Sequence, residues 1–260
     1  MAKKYLAGID IGTTGSKAVI FDLGGRVLSS GYREYPCTYP KPGWVEQDAP
    51  FVVAQMMEAS KEAIRESAVD PEEIAAVSFS AQRSSTILLG KDGNLIRPMI
   101  SWQDNRTPAE VEDIRAKISD HEYYQITGFP NNTTWMLPKM LWVRKNEPEN
   151  WAKVHKVVQL HDYALAMMGV EGYFNDVSDA RFSGLWDPYA FKWSDTLLDM
   201  FELDRSILPR PESSCTQVGV VSPGAATKSG FAAGTPICVG AGDQNSAAVG
   251  AGVINPGEAS

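Results

Sequence analysis

The sequence predicts an α/β fold, on three observations in its first third. Three short apolar runs at residues 5–11, 17–22 and 27–35 are separated by Gly-containing turns, which is typical of an antiparallel meander of strands. Asp48 then precedes apolar side chains at helical spacing, which predicts an amphipathic helix with Asp48 as its N-cap. A further apolar run at residues 74–80 predicts another strand. Together these features predict a mixed sheet flanked by helices.

The remaining chain continues this mixture of helices and strands. The order of three strands, a helix and a strand is, by analogy, the opening order of the actin-like, ribonuclease-H-like ATPase fold. Beyond it, apolar periodicity and turn residues predict helices at residues 108–118, 139–145, 161–168, 194–201 and 244–253, a strand at 236–240 and a turn at 242–244.

Composition limits the classes of partner. The chain has 260 residues, which suits one large domain or two small ones, and its net charge of -8 argues against nucleic-acid binding. The three cysteines, Cys37, Cys215 and Cys238, are widely spaced and odd in number, which favours a reducing, cytoplasmic setting. No apolar run reaches the ~20 residues that span a bilayer, so no membrane partner is expected.

The first candidate site is the segment from Asp10 to Lys17, Asp-Ile-Gly-Thr-Thr-Gly-Ser-Lys. Glycine lets the backbone approach a ligand closely, and successive amides in such a turn can form an anion-binding concavity. Thr13 and Thr14 add hydroxyl donors, and Asp10 could hold a hydrated Mg²⁺ beside phosphates. The alternative is an ordinary hairpin turn with no ligand.

A second candidate site follows the predicted strand at residues 236–240, where Gly-Ala-Gly-Asp-Gln-Asn leads into a helix. Phosphoryl transfer to a hydroxyl needs a positioned base to accept the proton, and Asp243 could serve as that base. The dinucleotide-binding pattern fails because Asn245 replaces its third glycine. The alternative is that Asp243 only caps the helix.

Two polar segments could bind hydroxyl groups. One contains Gln82 and Arg83 at the end of a predicted strand, and the other contains Trp102 and Asp104. The indole of Trp102 could present a flat apolar face to the C–H groups of a sugar. The alternatives are a surface salt bridge for Arg83 and core packing for Trp102.

Other charged and polar residues are predicted to be structural. His121, His155 and His161 show no metal-ligand spacing and are expected at the surface or at helix caps. The charged side chains of residues 139–149 are expected to form a solvated helix face.

These motifs, taken together and in order, resemble the FGGY carbohydrate kinases, which include kinases of glycerol, xylulose, ribulose, gluconate and the autoinducer-2 signal. The resemblance covers nearly the whole chain and rests on residues 8–18, 43–48, 82–83, 102–106, 139–149, 178–180 and 240–244. It implies ATP and Mg²⁺ as cofactors, and a small sugar or polyol as the phosphate acceptor. A homodimer is compatible with it.

The resemblance also implies individual roles. Gly12, Thr13, Thr14 and Lys17 would meet the ATP phosphates, Asp10 and Asp243 would serve Mg²⁺, and Asp243 would be the base. The substrate pocket would be lined by Gln82, Arg83, Trp102, Asp104 and Gln244. The sequence departs at two places from the residue patterns of known family members, and the substrate therefore remains open. The candidates are glycerol, xylulose or another ketopentose, gluconate and autoinducer-2. Ser84 stands where glycerol kinases have Glu, and Gln82-Arg83 stands where xylulokinases usually have Met-His.

Family members are about twice as long as this chain. The expected organisation is therefore a substrate-binding domain at residues 1–252 and, at 253–260, the start of a linker to a second, nucleotide-binding domain. We expect this part alone to fold but to have little kinase activity. The rival hypotheses are a nucleotide-gated actin-like scaffold, a sugar sensor without catalysis, and a hydrolase with Asp10 as nucleophile. Gly12 disfavours the hydrolase, because it occupies the position of that class's second Asp.

Overall fold

The computed structural model describes residues 3–258. Residues 1 and 2, and residues 259 and 260 at the end of the predicted linker, lie outside the described residues. The strands are β1 (Tyr5–Ile11), β2 (Gly15–Asp22), β3 (Val27–Glu34), β4 (Glu46–Gln47), β5 (Ile74–Ala81), β6 (Ile87–Leu89), β7 (Met99–Ile100), β8 (Lys156–Val158), β9 (Phe174–Asp176), β10 (Trp186–Asp187), β11 (Lys192–Trp193), β12 (Arg210–Glu212), β13 (Gln217–Val220) and β14 (Pro236–Gly242).

Ten α-helices connect these strands within the described residues. They are α1 (Ala49–Ser67), α2 (Pro108–Arg115), α3 (Asp120–Thr127), α4 (Met136–Asn146), α5 (Pro148–Trp151), α6 (Leu160–Met168), α7 (Val177–Ala180), α8 (Asp195–Met200), α9 (Pro223–Ser229) and α10 (Asp243–Gly250). Within residues 3–258, no helix is long and apolar enough to cross a membrane.

A six-stranded mixed sheet forms the centre, in the order β13-β14-β5-β1-β2-β3. Strands β1, β5 and β14 are parallel, whereas the β1–β2, β2–β3 and β13–β14 pairs are antiparallel. The predicted mixed sheet flanked by helices is therefore confirmed. The carboxyl ends of the three parallel strands meet at one edge, the usual place for ligands in α/β sheets.

Helix α1 covers one face of this sheet, as its sequence predicts. The Asp48 side chain accepts the Phe51 N–H at 3.1 Å and so caps the helix, with Pro50 in the first turn. The predicted apolar side chains, including Val52, Met56 and Ile64, are all buried. These side chains pack mainly over β2 and β3 and belong to the first of two hydrophobic cores, together with Ile9, Ala18 and Ile20 from the sheet.

Two predictions about polar residues need correction. The solvated face predicted at residues 139–149 begins only after Val143: Lys145 and Glu149 are exposed, whereas α4 is buried from Met136 to Val143 and Lys139 is completely enclosed in the second core region. His161 is not at the surface either: it is fully buried at the start of α6, beside Asp162. In both cases the side chain has buried polar partners that are distant in sequence.

Candidate active site

A pocket of about 220 Å³ lies where the carboxyl ends of β5 and β14 meet the turn after β1. We call it the strand-end pocket. Its walls are Thr13, Arg83, Ser84, Trp102, Thr134, Trp135, Phe182, Asp243 and Gln244. Four predicted segments therefore converge on one cavity, although they are up to 230 residues apart in the chain.

Asp243 is carried into this pocket by a direct strand-to-helix junction. Strand β14 runs to Gly242 and α10 begins at Asp243, so the predicted turn at residues 242–244 is not formed. Gly242 is the N-cap, which means that Asp243 is the first helical residue and not the cap. Its side chain remains 45% exposed, so the carboxylate is available to a ligand.

Arg83 is the ionic partner of Asp243. Its Nε lies 3.1 Å from Asp243 Oδ1, and its side chain is only 9% exposed, so this is not a surface salt bridge. The guanidinium also stacks on the Phe182 ring at 3.7 Å from the centroid. Two contacts thus orient one cation at the pocket wall. Arg83 also lines the pocket, so its guanidinium can donate to a bound ligand.

The chain turns sharply after Arg83 because Ser84 adopts a left-handed conformation, with φ of 61°. This conformation is costly for a residue other than glycine and persists only where neighbours fix it. Gln159 accepts the Ser84 N–H at 2.6 Å, and the Ser84 hydroxyl donates to the Phe182 carbonyl at 2.9 Å. The Ser84 hydroxyl is therefore already committed to the protein backbone.

Trp102 forms an accessible wall of the pocket. Its side chain is 39% exposed, so core packing does not describe it. The indole N–H donates to Thr13 Oγ1 at 3.0 Å, which joins the loop before α2 to the turn after β1. The ring face is thereby held beside Arg83 and Asp243.

Gln82 and Asp104, expected to line the pocket, lie behind its wall. Gln82 Nε2 donates to Gln47 Oε1 at 2.8 Å, and Gln47 donates in turn to the Thr13 carbonyl at 2.9 Å. Asp104 is fully buried and accepts two hydrogen bonds from the Arg106 guanidinium at 2.9 and 2.7 Å. Both side chains support the loops that form the site.

Asp10 and Lys17 face a separate cavity of about 320 Å³ on the sheet face opposite α1. They are cross-strand neighbours on the β1–β2 hairpin. The pKa of Asp10 is raised, mainly because surrounding protein reduces the hydration of its charge and secondarily because Asp243 is near; a hydrogen bond with Ser80 opposes this. Asp10 and Asp243 are therefore close enough to interact, although they line different cavities.

The predicted phosphate turn is held by backbone contacts. Gly12 N–H donates to the Gly15 carbonyl at 3.0 Å, and the Tyr35 hydroxyl donates to the Gly12 carbonyl at 2.7 Å. Thr13 reaches the strand-end pocket, whereas Thr14 is exposed. The turn is thus a well-defined hairpin end. Thr13 in the turn lines the strand-end pocket and Asp10 and Lys17 beside it line the other cavity, so one ligand could contact both cavities.

Lys139 is a residue of this region that the sequence pattern did not identify. Its Nζ donates to the Thr134 carbonyl at 2.7 Å and to the Ser84 carbonyl at 3.1 Å, and both of those residues line the pocket. Complete burial lowers its pKa to about 7, with Asp104 opposing and Arg106 adding to that effect. Thr134, Trp135 and Phe182 were also missed, because no sequence signal connects them to the pocket.

Lys139→Met is expected to change how stability depends on pH. Between pH 7 and the ordinary lysine pKa of 10.5, the unfolded chain binds one more proton at Lys139 than the folded chain. The free energy of unfolding of the wild type should therefore rise relative to that of the variant over this range, by up to about 1.4 kcal/mol per pH unit. Urea denaturation at several pH values measures this difference.

Lys145→Met is the matched control, because Lys145 is on the same helix but 56% exposed. Its curve should run nearly parallel to that of the wild type. Parallel curves for Lys139→Met as well would contradict the assignment of a depressed lysine pKa.

The comparison with protein families identifies the class. The model of the FGGY family of carbohydrate kinases, N-terminal domain, matches residues 5–250. This chain therefore belongs to the FGGY family of carbohydrate kinases, as its motifs predicted. The actin-like fold of that family agrees with the sheet order and helices described above.

Individual relatives are similar to this chain along most of its length. The xylulose kinase of Bacillus subtilis (strain 168) is 31% identical over 256 residues, covering 98% of this chain and 51% of the relative. A glycerol kinase of Bordetella pertussis is 30% identical over 268 residues, covering 99% and 51%. The crystal structure of ligand-bound xylulose kinase from Lactobacillus acidophilus superposes with a TM-score of 0.90 at 26% identity, covering 96% and 50%. The chain thus spans about half the length of these relatives.

Proposed function

We propose that this chain is the substrate-binding part of an ATP-dependent kinase that phosphorylates a hydroxyl of a small sugar or polyol. The observation that carries the proposal is the carboxylate of Asp243. It is 45% exposed at the first residue of α10, paired with Arg83, and part of the same pocket as the accessible indole of Trp102. A nucleotide-gated scaffold would not need such a pocket.

The proposed role of Asp243 is to accept the proton of the attacking hydroxyl. A sugar oxygen at this carboxylate would also be within reach of Arg83, whose terminal nitrogens can donate to neighbouring oxygens. Trp102 would cover the C–H face of the ring or chain. Position 84 carries serine rather than a carboxylate, and the Ser84 hydroxyl already donates to the Phe182 carbonyl. This residue would therefore not bind a further substrate hydroxyl.

ATP and Mg²⁺ are part of this proposal. Asp10 and Asp243 are two carboxylates close enough to interact, and the Gly12–Thr14 turn joins the two strands that carry the paired residues Asp10 and Lys17. Mg²⁺ usually keeps several waters and is bound by one or two carboxylates together with phosphate oxygens, so Asp10 and Asp243 would be its protein ligands in this proposal. Bound Mg²⁺ would neutralise charge on the transferring phosphoryl group.

The proposed organisation is a substrate-binding domain at residues 1–252 that closes against a nucleotide-binding domain. Glycerol, xylulose or another ketopentose, gluconate and autoinducer-2 remain the candidate substrates. A reducing, cytoplasmic setting is part of the proposal, on the wide spacing and odd number of Cys37, Cys215 and Cys238 in the sequence.

Two measurements test the function. Calorimetry with the 260-residue chain measures binding of glycerol, ketopentoses and gluconate. ADP release is measured on a fusion in which this chain replaces the matching half of the Bacillus subtilis xylulose kinase. Release that depends on one substrate supports the kinase, whereas substrate-independent release would support the scaffold. Binding without release in a folded, ATP-binding fusion would support the sensor.

Trp102→Ala is expected to weaken binding of the identified sugar by about tenfold, because it removes the apolar wall of the pocket. Trp102→Phe should lose less, since it keeps a ring but not the hydrogen bond to Thr13. Calorimetry on the 260-residue chain measures both. Equal affinity of all three proteins would exclude Trp102 from the sugar site.

A further inference from the structure

The strand that carries Asp243 is irregular just before it reaches the pocket. The register between β14 and β5 shifts between Cys238 and Ala241, so that Val239 and Gly240 together oppose Phe79. Such a bulge takes backbone amides out of the ladder and redirects the strand end. The amides of Gly240 and Gly242 are instead received by side chains from outside the sheet.

The two acceptors are His161 and Ser178. His161 Nε2 lies 3.4 Å from the Gly240 nitrogen, and Ser178 Oγ lies 2.9 Å from the Gly242 nitrogen. These amides are three and one residues before Asp243. The end of β14 is therefore held from two sides: α6 and α7 accept the Gly240 and Gly242 amides, while Ala241 and Gly242 remain paired with Ser80 and Ala81 of β5.

A buried set of acids orients His161. Asp162 Oδ1 lies 3.4 Å from His161 Nδ1, and the Asp162 carboxylate accepts from the Gln159 N–H at 2.8 Å and from Asn175 Nδ2 at 2.7 Å. With Nδ1–H directed at Asp162, Nε2 is free to accept from Gly240. This carboxylate–histidine arrangement fixes the tautomer that the amide requires.

Ser178 is oriented in a comparable way. Asp176 Oδ1 accepts both the Ser178 N–H, at 2.8 Å, and the Ser178 hydroxyl, while Asp176 Oδ2 accepts from Ser214 at 2.7 Å. Because the Ser178 hydroxyl proton is used on Asp176, its oxygen presents lone pairs to Gly242.

Asp179 completes the support under the strand end. It is 1% exposed, neither carboxylate oxygen has a hydrogen-bond partner within the described residues, and a Cβ on Gly242 would lie 3.1 Å from its Oδ1. Burial raises the pKa of Asp179 well above its ordinary value; Asp162 and Asp176 reinforce this, and His161 and Arg83 oppose it. The Asp179 carboxyl group therefore packs against the residue before Asp243.

We propose that His161 and Ser178 are positioning residues for Asp243: they accept the Gly240 and Gly242 amides and so set where the carboxylate lies in the strand-end pocket. The proposal rests on the proposed function only for its effect on catalysis. His161 can accept from Gly240 only in its neutral form. Burial lowers the pKa of His161, but the hydrogen bond to Asp162 on α6 and the charges of Asp179 on α7, Asp162, and Asp176 on β9 raise it on balance. The neutral imidazole that accepts the Gly240 amide of β14 is therefore the form favoured at alkaline pH.

The first test uses NMR of the isotopically labelled 260-residue chain and needs no kinase activity. Long-range imidazole spectra at pH 8.5 should show His161 protonated at Nδ1 only, with the exposed His121 and His155 as internal references. The Gly240 amide should be protected from hydrogen exchange and should lose protection as His161 becomes protonated on acidification. Two results would refute the proposal: a proton on His161 Nε2 at pH 8.5, or protection of the Gly240 amide from exchange that does not change as His161 titrates.

The second test uses variants in the kinase fusion. Ser178→Ala should lower kcat by up to about 10²-fold, since a small misplacement of a reacting group has that effect, with little change in KM for the sugar. His161→Gln should retain more activity than His161→Phe, because a glutamine oxygen can still accept from Gly240. Ser229→Ala, which removes another buried hydroxyl, on α9, should leave kcat unchanged.

A loss of kcat equal in Ser178→Ala and Ser229→Ala, or equal in the two His161 variants when all are folded, would overturn the positioning role. A wild-type fusion without substrate-dependent ADP release would instead count against the kinase function. In that case the NMR test still decides whether His161 holds the Gly240 amide.

Discussion

Asp243→Asn is expected to lower kcat of the kinase fusion by about 10²- to 10⁴-fold, the usual contribution of a positioned general base. Asparagine keeps the size of the side chain but cannot accept the proton of the attacking hydroxyl. Binding of the sugar to the 260-residue chain should persist, because Arg83, Trp102 and Gln244 still line the pocket. Loss of kcat with retained binding is therefore the predicted result.

The control for this variant is Asp199→Asn, which makes the same chemical change on exposed helix α8, away from the pocket. Its kcat should match that of the wild type. Substrate-dependent ADP release at the wild-type rate in Asp243→Asn would remove Asp243 as the base. A parallel loss of sugar binding would instead show that the residue mainly binds substrate.

The sheet and its principal helix could be predicted because their signals are local. Alternating apolar residues in β1 and β2 and the helical spacing in α1 each record which face is buried, so pattern and burial agree. Short strands such as β8 and β9 have three residues each and no room for a pattern. Their existence depends on pairing with distant segments, which the sequence does not display.

The orientation of the side chains in the candidate site could not be predicted from local sequence patterns. Gln82 and Arg83 are adjacent polar residues, yet Gln82 is buried behind the wall and Arg83 faces the pocket, at the bend where β5 ends. The sequence does not indicate which of the two side chains faces the pocket. Asp104 is similar: its partner Arg106 is only two residues away, but the buried ion pair is completed by the distant Glu46 and not by a ligand.

Lys139 and His161 were misjudged for a related reason. A charged or titratable side chain is expected at the surface unless its partners are known. The partners here are carbonyl groups of Ser84 and Thr134 for Lys139, and Asp162 and the Gly240 amide for His161. Except for Asp162 and Thr134, they come from other parts of the chain, so burial could not be inferred from spacing.

Gly240→Ala is expected to produce the largest loss of stability among the glycine-to-alanine substitutions in residues 3–258. A Cβ at this position would lie 1.6 Å from the Phe79 carbonyl oxygen, a backbone atom that cannot rotate away. Strand β14 would have to separate from β5 at the bulge. We expect a cost of about 4 kcal/mol or more, which approaches the whole stability of many domains. Urea denaturation of the 260-residue chain measures this cost.

Gly224→Ala provides the matched control. Gly224 is an exposed residue of α9, and a Cβ there would meet no atom within 4 Å among the described residues. The same added methyl group should raise stability by about 0.5–1 kcal/mol, because alanine loses less conformational entropy in a helix. If Gly240→Ala were as stable as Gly224→Ala, β14 could not approach Phe79 as described. That result would contradict the bulge that presents the Gly240 amide to His161. It would also contradict the positioning of Asp243 that is inferred from this bulge.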